Sequence, residues 1–242
     1  MKKITTSISV LRGGRPLFIA AFLLASCSLN AEEQSEIIFS DDFENRSEVG
    51  KNYVTSLGDD KSWTVEDGIL IARQTKESHG CVIRKEHKFD DLDVKFDFRF
   101  TGGKSFNFVI DDKNEKSVHA GHICRVSIFP KRIVIGDDKT GNMNLEIRGQ
   151  RQNKDLPAAE KKKLEEFLSH TQSSAAVDLE TGQWYTMRVR LVGDLMEAYL
   201  DGKLITSLKS PGISHPTKTK FGFTVNGSTI DFDNLAIYQN PK

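Results

Sequence analysis

The chain has 242 residues, with 34 Lys plus Arg balanced by 34 Asp plus Glu. The two signs are interspersed along the chain, which excludes a polycationic nucleic-acid binder, because phosphate binding needs Lys and Arg gathered into a patch. The apolar run at residues 16–25 is about half the length that spans a bilayer, and no later segment is longer, so no transmembrane helix is expected.

That run follows Lys2, Lys3, Arg12 and Arg15 and precedes the small residues Ala25, Ser26 and Ser28, the pattern of a secretory signal peptide. Two kinds of processing fit. Cleavage after Ala31 would leave residues 32–242, while Leu24-Ala25-Ser26-Cys27 resembles a bacterial lipobox, with a leader of residues 1–26 and a lipid on Cys27. Either way the expected protein is exported from a bacterial cell and is periplasmic, secreted or lipid-anchored. Loss of residues 1–31 removes four basic residues and no acidic one, leaving 30 basic against 34 acidic and a net charge of −4. Residues 32–242 suit one large β-sandwich.

In chain order, residues 36–39 read as a first strand. Residues 62–66 and 69–73 flank Asp67-Gly68, a tight-turn dipeptide, and so predict a hairpin. Residues 80–84 form another strand. In residues 92–100, Leu92, Val94, Phe96, Phe98 and Phe100 alternate with Asp93, Lys95, Asp97 and Arg99, the period of a strand with one buried and one wet face. A charged outer face points to an antiparallel sheet.

Residues 106–110 are a strand, 111–121 a polar loop, and 122–129 with 131–136 a hairpin about Pro130. Met143, Leu145 and Ile147 alternate with polar residues and predict a further strand. A helix is expected over residues 156–169, with Asp155 as N-cap and Pro157 in the first turn. Its Glu160-Lys161-Lys162-Lys163 run reads as a solvated face. Strands at 184–192, 195–200 and 204–208 are joined by Gly193-Asp194 and Asp201-Gly202, and strands at 221–225 and 230–238 by Asn226-Gly227. Many short strands and a single inserted helix predict an all-β, antiparallel jelly-roll sandwich.

Cys81 and Cys124 both fall in strand-like segments, leaving open a disulfide between strands or two buried thiols.

Four stretches carry a family resemblance: Trp63-Thr64-Val65-Glu66-Asp67-Gly68-Ile69-Leu70, residues 89–100, residues 184–203 and Phe232-Asp233-Asn234-Leu235. They resemble the concanavalin A-like, laminin-G-like jelly-roll domains of the 3-keto-disaccharide hydrolase, or 3-keto-glycoside lyase, type. The resemblance implies a glycoside oxidised at C3, whose ketone acidifies the C2 proton. A base removes that proton, the glycosidic oxygen leaves by elimination, and water adds afterwards. Residues 107–170 do not match that pattern, so no catalytic residue is carried over from the family.

The chemistry must therefore be read from the residues of that middle stretch. His122 is the expected base, oriented by Asp137 or Asp138, with Arg125 or Lys139 facing the enolate oxygen. Asn107, Asp111, Asp112, His119, His215 and Lys218 are candidates for holding substrate, the last two on the loop 210–218, which reads first as a rigid connection and second as a binding loop. His119 and His122 could share a metal only if Gly121 bends the chain. Structural calcium is a separate reading, in which Asp41 and Asp42 meet Asp231 and Asp233; no other cofactor is expected. The E-x-D-x-x-E strand of laminarinase-type glucanases is missing, and so is G-x-S-x-G. Two functions follow: an exported enzyme acting on glycosides or 3-keto-glycosides, or a non-catalytic saccharide-binding or surface-interaction module on the same fold.

Overall fold

The structure is a computed structural model that describes residues 37–238; the expected leader and the lipidation candidate Cys27 lie outside the described residues. Strands and helices are numbered in chain order. Among the described residues the strands form two antiparallel sheets, one of eight strands and one of seven. The first runs β13 (Lys203–Lys209), β12 (Leu195–Leu200), β11 (Trp184–Val192), β6 (Leu92–Phe100), β15 (Ile230–Tyr238), β4 (Ile69–Ala72), β3 (Trp63–Glu66), with β1 (Ile37–Asp41) also pairing β15. The second runs β10 (Gln172–Ala176), β9 (Arg132–Asp137), β8 (His122–Phe129), β7 (Gly103–Asp111), β14 (Lys218–Gly227), β5 (Cys81–Phe89), β2 (Val54–Ser56).

Strand period decides the packing. The apolar set of β6 enters the core, with Phe96 at 1% exposure and Phe98 at 0%, and meets Phe106 and Phe108 of β7 and Phe223 of β14 from the opposite sheet. Phe223 and Phe232 stack at 4.3 Å between centroids, tying β14 to β15 across the sandwich. Each buried Phe is worth about 1.5–3 kcal/mol of transfer free energy, so this cluster holds the two sheets face to face. The hairpin turns follow their dipeptides: Asp67-Gly68 has φ of 52° and 74°, and Asp201-Gly202 has 50° and 79°. Both positions of such a turn need positive φ, which Gly adopts freely and Asp tolerates.

Two expectations are corrected, and one open reading is resolved. Residues 143–147 are not a strand: Asn144 caps helix α1 (Leu145–Gln152), its Oδ1 accepting from the backbone N–H groups of Glu146 and Ile147, and no residue of α1 is buried. A local cap therefore outweighed an apolar alternation that finds no core to enter. The predicted helix is α2 (Ala158–Ser169), but Pro157 stands at its N-cap rather than Asp155. Cys81 and Cys124 are buried free thiols. They sit on β5 and β8, with β14 and β7 between them, so strand spacing alone holds their backbones at least about 14 Å apart. A disulfide needs Cα atoms within about 7 Å.

The two helices belong to an excursion between β9 and β10 at one end of the second sheet. The loop after β7 is clipped to it, with His119 N–H donating to the Met143 carbonyl at 2.8 Å and Leu145 N–H to the Ser117 carbonyl at 2.9 Å. The loop after β7 and the helical excursion thus build a wall over the outer face of this sheet. Among the described residues no helix is long and apolar enough to cross a membrane.

Candidate functional site

A cleft of about 590 Å³ lies on the outer face of the second sheet, floored by β2, β5, β14, β7 and β8 and walled by the loop carrying His119 and by α1. Because Phe106, Phe108 and Ile110 of β7 point into the core, Asn107, Val109 and Asp111 point out. The same alternation turns Arg84 of β5 and Arg125 of β8 toward the cleft. A shift of register between Ile110 and Asp111 sets His122 opposite Asp111, so both side chains share that face. His119 reaches it through a bend at Ala120 and Gly121, with φ of 55° and 78°. A Cβ on Gly121 would stand 2.3 Å from the Asp112 carbonyl oxygen, so only glycine fits this bend. The rings of His119 and His122 end 6.2 Å apart.

At the centre, His122 Nδ1–H donates to Asp111 Oδ1 at 2.6 Å, and Arg84 Nε donates to Asp111 Oδ2 at 2.8 Å. A carboxylate can only accept, which fixes a proton on Nδ1, so that in the neutral imidazole the lone pair is on Nε2. Nε2 has no protein partner among the described residues, and the ring lines the cleft. Arg84 is itself spent on the scaffold, donating to the carbonyls of Ile83 and Phe223 and to Thr224 Oγ1. Burial pushes the Asp111 carboxyl up, but the bond from His122 and the Arg84 charge outweigh it and hold its pKa below the ordinary value. Burial, with the cation of Arg148 alongside, pushes the His119 pKa down.

Arg125 pairs with Asp138 at 2.9 Å and makes no other side-chain bond among the described residues, so the rest of its guanidinium is available to the cleft. Asp138 is 1% exposed, and its Oδ2 is buried without a partner. Burial pushes the Asp138 pKa up, against the Arg125 charge.

The structure therefore brings together Asn107, Asp111, His119, His122 and Arg125, and separates the other candidates from them. His122 is oriented by Asp111, not by Asp137 or Asp138. Asp137 points inward from β9, where it accepts from Thr140 N–H, Thr140 Oγ1, Ser210 Oγ and Gly212 N–H. Lys139 does not face the cleft oxygen position: its Nζ donates to His215 Nδ1 at 2.6 Å and lies 3.4 Å from Glu115. His215 Nε2 in turn faces Asp112 at 3.0 Å, and Asp112 also accepts from Thr217 Oγ1. Lys218 is buried, donating to the carbonyls of Asp90 and His215. Asp112, His215 and Lys218 thus form a polar knot that ties the loop 210–218 down, with Gly212 packed so closely that a Cβ there would lie 2.1 Å from Asp137 Oδ1. The loop is a rigid connection.

Arg84 and Arg148 were not legible as site residues. Arg84 ends a short predicted strand, and Arg148 sat in a segment read with the wrong period. Among the described residues no group of three or more His, Cys, Asp or Glu has metal-ligating geometry. Of the four Asp residues considered for calcium, Asp41 is held by Arg46 and Tyr53, and Asp231 by Arg99 and Thr101. Trp63 is in the core, and Trp184 stacks on Arg99 at the other sheet.

Among solved structures, the laminarinase from Rhodothermus marinus shares the fold at a TM-score of 0.58 and 11% identity, covering 86% of this chain and 98% of the laminarinase. Porphyranase B from Zobellia galactanivorans gives 0.56 at 11% identity, over 84% of this chain and 92% of its own. A carbohydrate-binding module, CBM66, from Bacillus subtilis gives 0.50 at 14% identity, over 78% and 96%. At these identities the likeness is one of fold. No curated protein matches the chain significantly. The profile of the 3-keto-alpha-glucoside-1,2-lyase-like domain matches residues 42–238, spanning both sheets and the cleft between β2 and α1. The chain belongs to the 3-keto-alpha-glucoside-1,2-lyase-like domain family.

Proposed function

We propose that this protein is an exported enzyme that cleaves 3-keto-glycosides by elimination, with His122 as the base. The observation that carries the proposal is the buried Asp111 carboxylate holding His122 in the tautomer whose Nε2 can take a proton from a cleft ligand. In the proposed step Nε2 removes the C2 proton, and the C–H electron pair moves into an enolate whose negative charge settles on the C3 oxygen. Arg125, positioned by Asp138, donates to that oxygen. The ketone then re-forms as the C1–O bond breaks, leaving a C1–C2 double bond. C1 and C2 are adjacent, so the imidazolium that took the C2 proton can hand it to the departing glycosidic oxygen. Water added across the double bond completes a net hydrolysis. Arg84 acts one step back, as the clamp on Asp111. Family membership supports the substrate class, and the carbohydrate-acting names of the structural neighbours agree with it.

The test is turnover of a 3-keto-disaccharide by residues 32–242, following the unsaturated ketone by ultraviolet absorption and the released sugar by its reducing end. Deuterium at C2 should slow the reaction, and His122→Ala should lower kcat by about 10²–10⁴-fold while the thermal melt stays cooperative. Binding without products, or full activity in His122→Ala, would favour the saccharide-binding module. Export and lipidation at Cys27 are read from cell fractionation and labelling with a fatty acid.

A further inference from the structure

Charge along the cleft does not balance locally. Its lining holds the cations Arg84, Arg125, Arg148 and Lys220 against the carboxylates Asp111 and Glu86. All but one of these cations have an acid beside them. Arg84 bonds Asp111 at 2.8 Å, Arg125 pairs with Asp138 at 2.9 Å, and Lys220 stands opposite Glu86 in the register of β14 and β5. Arg148 is the exception: among the described residues its guanidinium donates to no protein group and pairs with no carboxylate.

The fold does not require a cation at this place. α1 buries no residue, so the helix adds nothing to the core, and its first turn is already capped by Asn144. It instead presents Arg148 to the cleft from a wall fixed by the bonds from His119 N–H to the Met143 carbonyl and from Leu145 N–H to the Ser117 carbonyl. The half-buried guanidinium lies near enough to His119 for its charge to help push that ring's pKa down. A cation beside a histidine, with no acid opposite, is unfavourable for the protein alone, and local costs of this kind collect where a ligand supplies the missing partner.

That partner has a definable chemistry. A guanidinium presents parallel N–H groups that match two oxygens of a carboxylate or a sulfate, and such charge-assisted bonds are about twice as strong as neutral ones. We propose that Arg148 is the recognition residue for an anionic group carried by the glycoside, a carboxylate or a sulfate ester, so that the preferred substrates are uronic-acid or sulfated glycosides rather than neutral ones. The inference rests on the elimination reading for the reaction only. Arg125 keeps its place at the C3 oxygen, and Arg148 holds a different part of the ligand from the wall beside His119.

Binding tests the anion site without requiring turnover. Calorimetric titration compares methyl glucoside, methyl glucuronide and the sulfate ester of methyl glucoside at its primary hydroxyl against the wild type, Arg148→Gln, which removes the charge, and Arg148→Lys, which keeps the charge and loses the fork. The wild type should bind at least one anionic glycoside about tenfold more tightly than methyl glucoside. A tighter glucuronide identifies a uronic acid, and a tighter sulfate ester a sulfated sugar. Arg148→Gln should bring the ligands close to parity with an unchanged thermal melt, since no core contact is lost, and Arg148→Lys should retain part of the preference. The wild-type preference should also shrink in about 1 M salt, where the screening length is about 3 Å. Equal affinities in the wild type, or a preference that Arg148→Gln leaves intact, would overturn the inference. An anion preference that Arg148→Gln abolishes, with no turnover of any keto substrate, would sink the elimination alone. Turnover of a neutral 3-keto-disaccharide without any anion preference would sink the anion site alone.

Discussion

Asp111→Asn is the most informative single substitution, because one atom is exchanged at a carboxylate serving two partners. The side chain is 2% exposed and receives Arg84 at 2.8 Å and His122 at 2.6 Å. An asparagine Oδ1 can keep the bond from Arg84, but its amide then faces His122 and donates to Nδ1. The imidazole must accept there, which moves its proton to Nε2, where the base should be. Reversing a catalytic histidine's tautomer in this way costs on the order of 10⁴-fold in kcat. Stability falls as well, since Arg84 is buried and loses its counter-charge. Breaking one partner of a buried pair costs about 3–5 kcal/mol, and the low end applies because Arg84 keeps its bonds to Ile83, Phe223 and Thr224.

For a domain of this size about 3 kcal/mol lowers Tm by roughly 6–12 °C. The pH dependence has a definite sign. The Asp111 pKa is depressed in the folded state, so its contribution is complete above the unfolded value of about 3.9 and is lost as pH falls through the folded pKa. The gap between wild type and Asp111→Asn should therefore be widest at neutral pH and close in acid. Calorimetric melts from pH 3 to pH 7, with kcat at neutral pH, make the measurement. A variant within tenfold of wild-type activity would refute the tautomer lock, and a gap that does not change with pH would refute the buried pair.

Asp138→Asn should behave oppositely: burial raises the Asp138 pKa, so its favourable contribution is complete below the unfolded pKa and is lost as pH rises through the folded one. The variant should gain on wild type between pH 4 and pH 7 in urea melts, and a pH-independent difference would contradict the raised pKa. Gly121→Ala must hold φ near 78° with its Cβ against the Asp112 carbonyl oxygen; about 1–3 kcal/mol of strain and a loss of activity are expected. An unaltered melt would show that the bend is not required. Cys81, whose pKa burial pushes up to about 11, and Cys124, also raised by burial, should resist a thiol reagent until the protein is denatured. Reaction in the native state, or a melt that depends on reductant, would argue against two buried thiols.

Strand periodicity and turn dipeptides made the sandwich legible because they act over a few residues. Alternation in residues 92–100 names a buried face whatever lies opposite it, and Asp67-Gly68 and Asp201-Gly202 carry their own φ preference. The same local logic failed at residues 143–147, where a cap two or three residues away decided the outcome. The site was legible only as an inventory. His122 and Arg125 could be singled out by residue type, but their partners could not, since a carboxylate's role depends on which face of which strand it occupies.

Local order in the chain thus determined the layered antiparallel architecture. Tertiary structure alone decided that Asp111, eleven residues before His122, is its partner, while Asp137 and Asp138, next to each other in sequence, take separate partners, Ser210 and Gly212 for the first and Arg125 for the second. The reason is geometric: side chains alternate every residue along a strand, and one shift of register between β7 and β8 sets Asp111 rather than Asp112 opposite His122.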